Sequence, residues 1–187
     1  MWQSHHAAKH FCAGLVAASA ALNGRHSSTK GLLTRCKEQD TRIEVFKKLQ
    51  HTNLRANSRS TKDQAFPEAN PSALIGIYFS AHWCGPCRHF TPKFAQCYRE
   101  LKQAGKPFEV IFVSCDNKEE EFTSYHAEMP WSAVPFSEIE LRKSLQADFA
   151  VQGIPKLVLL KSDGTLVTDE GVTAIHYGKE FFPWGPE

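Results

Sequence analysis

Along the second half of this 187-residue chain, short apolar runs alternate with amphipathic stretches, and their spacing predicts an ordered series of elements. Ala73–Ser80 (Ala-Leu-Ile-Gly-Ile-Tyr-Phe-Ser) is an almost unbroken apolar run, the pattern of a strand buried on both faces. Beyond it, Phe90, Phe94, Cys97 and Leu101 recur at helical spacing and predict a helix over 87–104. Pro92 lies inside that helix and is expected to kink it. Phe108–Cys115 reads as a second strand and 118–127 as a second helix. A segment punctuated by Pro130 and Pro135 follows, then a third helix over 139–149. Strands 157–161 and 165–168 are joined by Ser162-Asp163-Gly164, a hairpin signal. Upstream, Val45–Thr61 reads as a leading hairpin turning at Arg55-Ala56-Asn57. The polar residues Ser58–Pro71, with two prolines, read as a loop carrying one short helical turn. Strand–helix–strand followed by a hairpin gives a mixed central sheet covered by helices, an α/β/α sandwich.

The chemistry concentrates where the first strand meets the first helix. Residues 83–88 read Trp-Cys-Gly-Pro-Cys-Arg. Thiol–disulfide exchange needs a thiolate attacker, an accessible sulfur, and a second thiol near enough to resolve the mixed disulfide. Cys84 is placed at or just before a helix N-terminus, where unpaired N–H groups and the helix dipole favour an anion. Such a position lowers a cysteine pKa from about 8.5 toward about 7, roughly 2 kcal/mol in favour of the thiolate. Cys87 falls in the first turn, shielded and suited to resolving. Gly85 lets the chain turn tightly and Pro86 sets a backbone angle at the helix start. Trp83 offers a flat apolar surface beside the sulfur. Half of a zinc site and a structural disulfide are the rival readings. A zinc site would need a second pair of ligands at suitable spacing. The chain has no second Cys-x-x-Cys, and His82 and His89 stand too close to close a tetrahedron without breaking the helix. A redox dithiol is therefore the expected chemistry, with no metal or bound cofactor.

Composition changes the picture mainly at the N-terminus. With 42% hydrophobic and 22% charged residues, the chain suits one globular domain over 42–187 and an extension over 1–41. The six cysteines (Cys12, Cys36, Cys84, Cys87, Cys97 and Cys115) do not form a secreted disulfide framework in a chain this long, which favours a reducing compartment. Cys97 continues the helix stripe as a buried thiol. Cys115 ends the second strand, where it reads as a core residue or as a third redox or modification site. Residues 1–69 carry eleven Lys/Arg against five Asp/Glu, and residues 70–187 carry eleven against fifteen, so the halves differ in sign. The basic half lacks aromatic interleaving and any nucleic-acid motif, which argues against nucleic-acid binding. Glu119-Glu120-Glu121 fits the solvated first turn of the second helix. Residues 1–37 contain no Asp or Glu and resemble a mitochondrial presequence. Phe11–Leu22 also reads as a secretory apolar region, and is too short to span a membrane. A plain extension on a cytoplasmic protein, with access to the nucleus, is the reading retained beside these two.

Trp83-Cys84-Gly85-Pro86-Cys87 is the active-site sequence of thioredoxins. Tyr78-Phe79-Ser80-Ala81-His82, Phe90-Thr91-Pro92, Phe108–Ser114, Met129-Pro130-Trp131, Val134-Pro135-Phe136, Gly153-Ile154-Pro155 and Phe182-Pro183-Trp184 resemble the nucleoredoxin/tryparedoxin branch of the thioredoxin superfamily. The resemblance covers about 73–184 and implies a thioredoxin fold. It makes Cys84 the nucleophile, Cys87 the resolving cysteine, and Pro155 a cis proline facing the dithiol. Ile154 would present its backbone to an extended substrate segment, a form of strand addition. Trp83, Gly85, Pro86, Ile154 and Pro155 thus form the expected substrate-binding surface.

The implied activity is that of a monomeric protein-disulfide reductase, recycled by an upstream reductase or dithiol donor. A redox-gated binding module for signalling partners and a secretory oxidase or isomerase are the alternatives. Two departures stand out. Gly85 replaces the proline usual in this branch, and Tyr78 occupies the place where typical thioredoxins bury an acid, so proton handling for Cys87 must fall elsewhere. Trp131 is open to two expectations, a core aromatic or part of a docking surface beside the dithiol. Phe181, Phe182 and Trp184 are expected to pack the tail onto the domain.

Overall fold

In the computed structural model, residues 44, 46–56 and 72–185 are described. The elements run β1 (Leu74–Ser80), α1 (Gly85–Gln103), β2 (Phe108–Ser114), α2 (Glu119–His126), β3 (Ser132–Ala133), α3 (Ile139–Asp148), β4 (Lys156–Lys161), β5 (Leu166–Thr168) and α4 (Gly171–Tyr177), then a 3-10 turn over Lys179–Phe181. The sheet order is β3-β2-β1-β4-β5. β1 runs parallel to β2 from Leu74↔Phe108 to Ser80↔Ser114, and antiparallel to β4 from Leu74↔Lys161 to Phe79↔Lys156. β3 adds in parallel to β2, and β5 in antiparallel to β4. This is the expected mixed sheet, with its central strand leading straight to the cysteines.

Every residue of β1 is buried, as a strand covered on both faces requires. Its side chains alternate with period two. Leu74 and Tyr78 enter a core with Phe94, Phe108, Phe112, Phe122, Tyr125 and Trp131, whereas Ile75, Ile77 and Phe79 enter a second core with Phe46, Leu49, Leu145 and Phe149. The first core is dense in rings. Trp131 is fully buried there, its centroid 4.6 Å from that of Phe94 and 5.5 Å from that of Tyr98. It is a core aromatic and forms no docking surface. Phe182 and Trp184 pack on Phe108 at 6.0 and 5.7 Å, holding the tail to the domain, while Phe181 stays exposed.

The leading hairpin over 45–61 is corrected. Residues 46–50 are helical, and Arg55 makes one antiparallel bridge to Ala133 at the sheet edge. Phe46 and Leu49 stand three apart, so a helix puts both on one face, and both are fully buried in the second core. Burial of that one face holds the segment as a helix rather than a strand. Residues 57–61 lie outside the described residues, as does the predicted extension.

Sequence spacing did not reveal α4. Gly171 opens it where a Cβ would come within 2.7 Å of the Leu157 carbonyl oxygen, so only glycine allows this helix to sit so close to β4. Helix α1 begins at Gly85, two residues earlier than predicted, and runs through Pro92, whose missing N–H leaves the Arg88 carbonyl without its usual intrahelical donor. Glu119 and Glu120 are exposed in the first turn of α2, as expected. Among the described residues no helix is long and apolar enough to cross a membrane.

Candidate active site

β1 ends at Ser80, and the chain turns through Ala81-His82-Trp83 into α1. The Cys84 amide donates to the Ala81 carbonyl at 3.2 Å, closing the turn, and the Arg88 amide donates to the Cys84 carbonyl at 3.1 Å, opening the helix. Cys84 is the N-cap, with φ −82° and ψ 109°, and its Sγ accepts from the Cys87 amide at 3.2 Å. Cysteine thus stands where helices usually place Ser, Thr, Asp or Asn, and its sulfur pairs with a first-turn N–H that has no intrahelical acceptor. Cys84 and Cys87 are joined as a disulfide, with their Cα atoms 5.2 Å apart. Cys87 is fully buried and Cys84 is 6% exposed, so solvent reaches the pair from the Cys84 side.

Of the expected substrate-facing residues, Trp83 and Gly85 flank Cys84 in the chain and Ile154 packs against the pair. Trp83 is 55% exposed. Gly85 and Pro86 form the helix start, and a Cβ at Gly85 would meet no atom within 4 Å. The Ile154–Pro155 bond is cis, and the Ile154 carbonyl oxygen lies 3.7 Å from Cys84 Sγ. Ile154 and Cys115 both pack against the cluster of Ala81, Cys84 and Cys87. The fold therefore brings together residues spread from 83 to 155.

The Tyr78 hydroxyl does not act as the missing acid. It hydrogen-bonds Thr91 Oγ1 at 2.8 Å, Thr91 Oγ1 bonds the Tyr125 hydroxyl at 2.5 Å, and the Tyr125 hydroxyl bonds Ser80 Oγ at 3.0 Å. Burial, then the neighbouring Tyr125, pushes the Tyr78 hydroxyl well above the ordinary tyrosine range. It stays protonated at neutral pH and cannot take up a proton there.

Asp116 and Arg142 were not singled out from the sequence. Asp116 Oδ1 accepts the His82 amide at 2.8 Å, and Oδ2 accepts the Ser114 hydroxyl at 2.8 Å. Arg142 Nη1 donates to the carbonyls of Ser114 at 3.1 Å and Asp116 at 3.4 Å, while its guanidinium lies 4.2 Å from the Phe136 ring centroid. No local sequence signal marks either residue, because the bonds that tie them to other segments span 26 to 34 residues along the chain.

The other described cysteines differ from the pair. Burial, with the Asp116 charge, pushes the Cys115 thiol up to about 11, and burial with Glu100 raises Cys97. Both are free thiols, half-buried, and both sit where the thiolate is disfavoured. Cys12 and Cys36 lie outside the described residues. Among the described residues no cluster of His, Cys, Asp and Glu is suited to hold a metal ion.

Comparison with known proteins bears on this geometry. A family model described as thioredoxin-like matches residues 72–166. Nucleoredoxin of Danio rerio is 43% identical over 135 residues, covering 71% of this chain and 32% of that protein. Nucleoredoxin of Homo sapiens is 40% identical over 136 residues, covering 72% and 30%. The chain thus spans about a third of the length of these nucleoredoxins. Among solved structures, tryparedoxin II from C. fasciculata superposes with a TM-score of 0.64 at 36% identity, covering 72% of this chain and 88% of that one. Tryparedoxin I from Leishmania major gives 0.66 at 32% identity, covering 77% and 99%. The family-model match over half of the chain, together with these near-complete tryparedoxin alignments, means that the chain belongs to the thioredoxin-like oxidoreductase family, on its nucleoredoxin/tryparedoxin branch.

Proposed function

We propose that this domain reduces disulfides of other proteins through Cys84 and Cys87. The observation that carries the reading is the N-cap position of Cys84, with Sγ accepting the Cys87 amide at 3.2 Å. The helix terminus that satisfies a thiolate there lowers its pKa and so raises the attacking fraction at neutral pH. In the reduced protein, the Cys84 thiolate attacks one sulfur of a target disulfide. The other target sulfur leaves as a thiolate and takes a proton from solvent. Cys87, one turn along and within disulfide reach, then loses its proton and attacks the Cys84 sulfur of the mixed disulfide. The second target sulfur leaves as a thiolate and takes up a proton in place of the one Cys87 released, and the domain is left as the Cys84–Cys87 disulfide. An upstream reductase or dithiol donor must supply two electrons for the next turn.

Trp83, Gly85, Pro86, Ile154 and Pro155 form the docking surface in this reading. Exposure of Trp83 and the closeness of the Ile154 carbonyl to Cys84 support it. An extended target segment would pair with the Ile154 backbone and lay its sulfur on Cys84. The domain acts as a monomer over 42–187, and the retained location is the cytoplasm. Mass spectrometry of the mature N-terminus tests the location: an intact Met1 would point to the cytoplasm, a start near Asn23 to secretion, and one near residue 40 to mitochondrial import.

Insulin-disulfide reduction by wild type and Cys84→Ser tests the activity. Turnover by wild type alone is expected, and equal turnover by both rejects the assignment. Cys87→Ser should instead trap a mixed disulfide with the target. A Cys87→Ser protein that binds partners without covalent trapping, in a redox-dependent way, would favour a binding regulator over a reductase.

A further inference from the structure

Tyr78 stands where a buried acid would serve the resolving cysteine, and it stays protonated. Asp116 is the one carboxylate among the described residues with less than a tenth of its surface exposed. It sits at the C-terminal edge of the sheet, two residues past β2, on the same side as the turn that carries the dithiol. Its partners are specific. Oδ1 accepts the His82 amide, two residues before Cys84, and Oδ2 accepts the Ser114 hydroxyl. The adjacent residue, Cys115, packs against the cluster of Ala81, Cys84 and Cys87, and its amide donates to the Ser80 carbonyl at 2.9 Å. Arg142 reaches from α3 to the Ser114 and Asp116 carbonyl oxygens and so fixes the loop.

We propose that Asp116 is a positioning residue of the dithiol: its carboxylate anchors the turn before Cys84 through the His82 amide and sets a buried negative charge beside the thiol pair. This deepens the reductase reading and rests on Cys84 being the nucleophile. The anchor and the charge have separable effects. The anchor fixes the turn, so that Cys84 Sγ stays at the helix terminus that activates it. The charge opposes a second negative charge on Cys84, so Asp116 moderates the thiolate that the helix favours. Burial raises the Asp116 carboxyl above its usual range, partly offset by the hydrogen bonds from Ser114 and His82. The charged and titratable groups facing it are His82 from the turn, Glu121 from α2, Arg142 from α3 and Cys115 beside it.

The test is the pH dependence of Cys84 alkylation by iodoacetamide in the reduced full chain, resolved residue by residue by mass spectrometry, for wild type, Asp116→Asn and Asp116→Ala. Asparagine keeps an acceptor for the His82 amide and removes the charge. Its midpoint should move down by about half a pH unit or more, with the limiting rate kept. Alanine removes both, so the midpoint should move in the same direction and the limiting rate should fall by about threefold or more. A midpoint for Asp116→Asn equal to that of wild type overturns the proposal, whereas a merely structural role would change stability and leave that midpoint in place. If the variants do not fold, the wild-type protein decides: the His82 amide resonance should titrate with an inflection above the usual carboxylate range, and a flat His82 profile through acid pH overturns it. Wild-type Cys84 reacting no faster than Cys97 would overturn the reductase reading and this proposal together. A fast Cys84 with an unmoved Asp116→Asn midpoint removes this proposal alone.

Discussion

Replacing Phe46 tests whether the N-terminal flank is part of the fold. The family model begins at residue 72, yet Phe46 and Leu49 are 1% and 0% exposed in the core that also holds Ile75, Ile77 and Phe79 of β1. The Phe46 ring lies against Gly164 in the β4–β5 turn, where an added Cβ would approach the ring to 3.1 Å. Truncating a fully buried Phe to Ala costs about 3–5 kcal/mol, and Leu to Ala about 2–5 kcal/mol, through lost transfer energy and the cavity left behind. Together these approach the whole stability of an ordinary domain, about 5–15 kcal/mol. Urea denaturation of Phe46→Ala, Leu49→Ala and the double variant, followed by far-UV circular dichroism, is the assay. Each single variant should lose at least about 2 kcal/mol at unchanged slope, and the double variant should be largely unfolded without denaturant. A fragment starting at residue 72 should behave like the double variant. A loss below about 1 kcal/mol for Phe46→Ala would mean that this flank is peripheral and refute the reasoning.

Three other substitutions probe particular contacts. Gly85→Pro should fold and gain about 0.4–1 kcal/mol in urea midpoint measurements. Cys84 already has the extended geometry required before proline, the first helical N–H has no intrahelical acceptor, and no atom lies within 4 Å of the added carbon; a loss above about 1 kcal/mol would contradict this. Thr91→Val should cost about 1–3 kcal/mol, because the Tyr78 and Tyr125 hydroxyls both bond Thr91 Oγ1 in the core. Added to Tyr78→Phe it should cost less than the two losses summed, and full additivity would count against the hydroxyl chain. Burial lowers the His126 pKa below its ordinary 6.5, and its Nε2–H donates to the Trp131 carbonyl at 2.9 Å. Below about pH 6.5 the unfolded chain therefore binds more protons than the folded one, and stability falls as pH drops toward the lower folded value. His126→Gln should lose less stability than wild type between about pH 7 and pH 5, and equal losses would refute the assignment.

Much of this architecture was readable because its elements are strongly periodic. The unbroken apolar run of β1 and the stripe of α1 each allow one reading, and their boundaries differ from the expected ones by two residues or fewer. The dithiol was legible for a local reason, since two cysteines three apart need only a helix start to become a redox pair. Residues 46–50 misled because the stretch is too short for its few apolar positions to separate a strand from a helix, and burial of Phe46 with Leu49 decided between them. Helix α4 depends on the close approach of Gly171 to β4, a tertiary fact without a sequence periodicity. Asp116 and Arg142 were invisible for a similar reason. Their roles arise from hydrogen bonds between segments 26 to 34 residues apart, which no local pattern encodes.

The most direct test of the central claim compares thiol reactivity within one molecule. Reduced wild-type protein is alkylated across a pH series, and the modified fraction of Cys84, Cys97 and Cys115 is read by mass spectrometry. The expected result is a Cys84 midpoint near pH ~7, with Cys97 raised and Cys115 reacting only toward about 11. A Cys84 that titrates near the free-thiol value of about 8.5, or labels no faster than Cys97 at neutral pH, would contradict it.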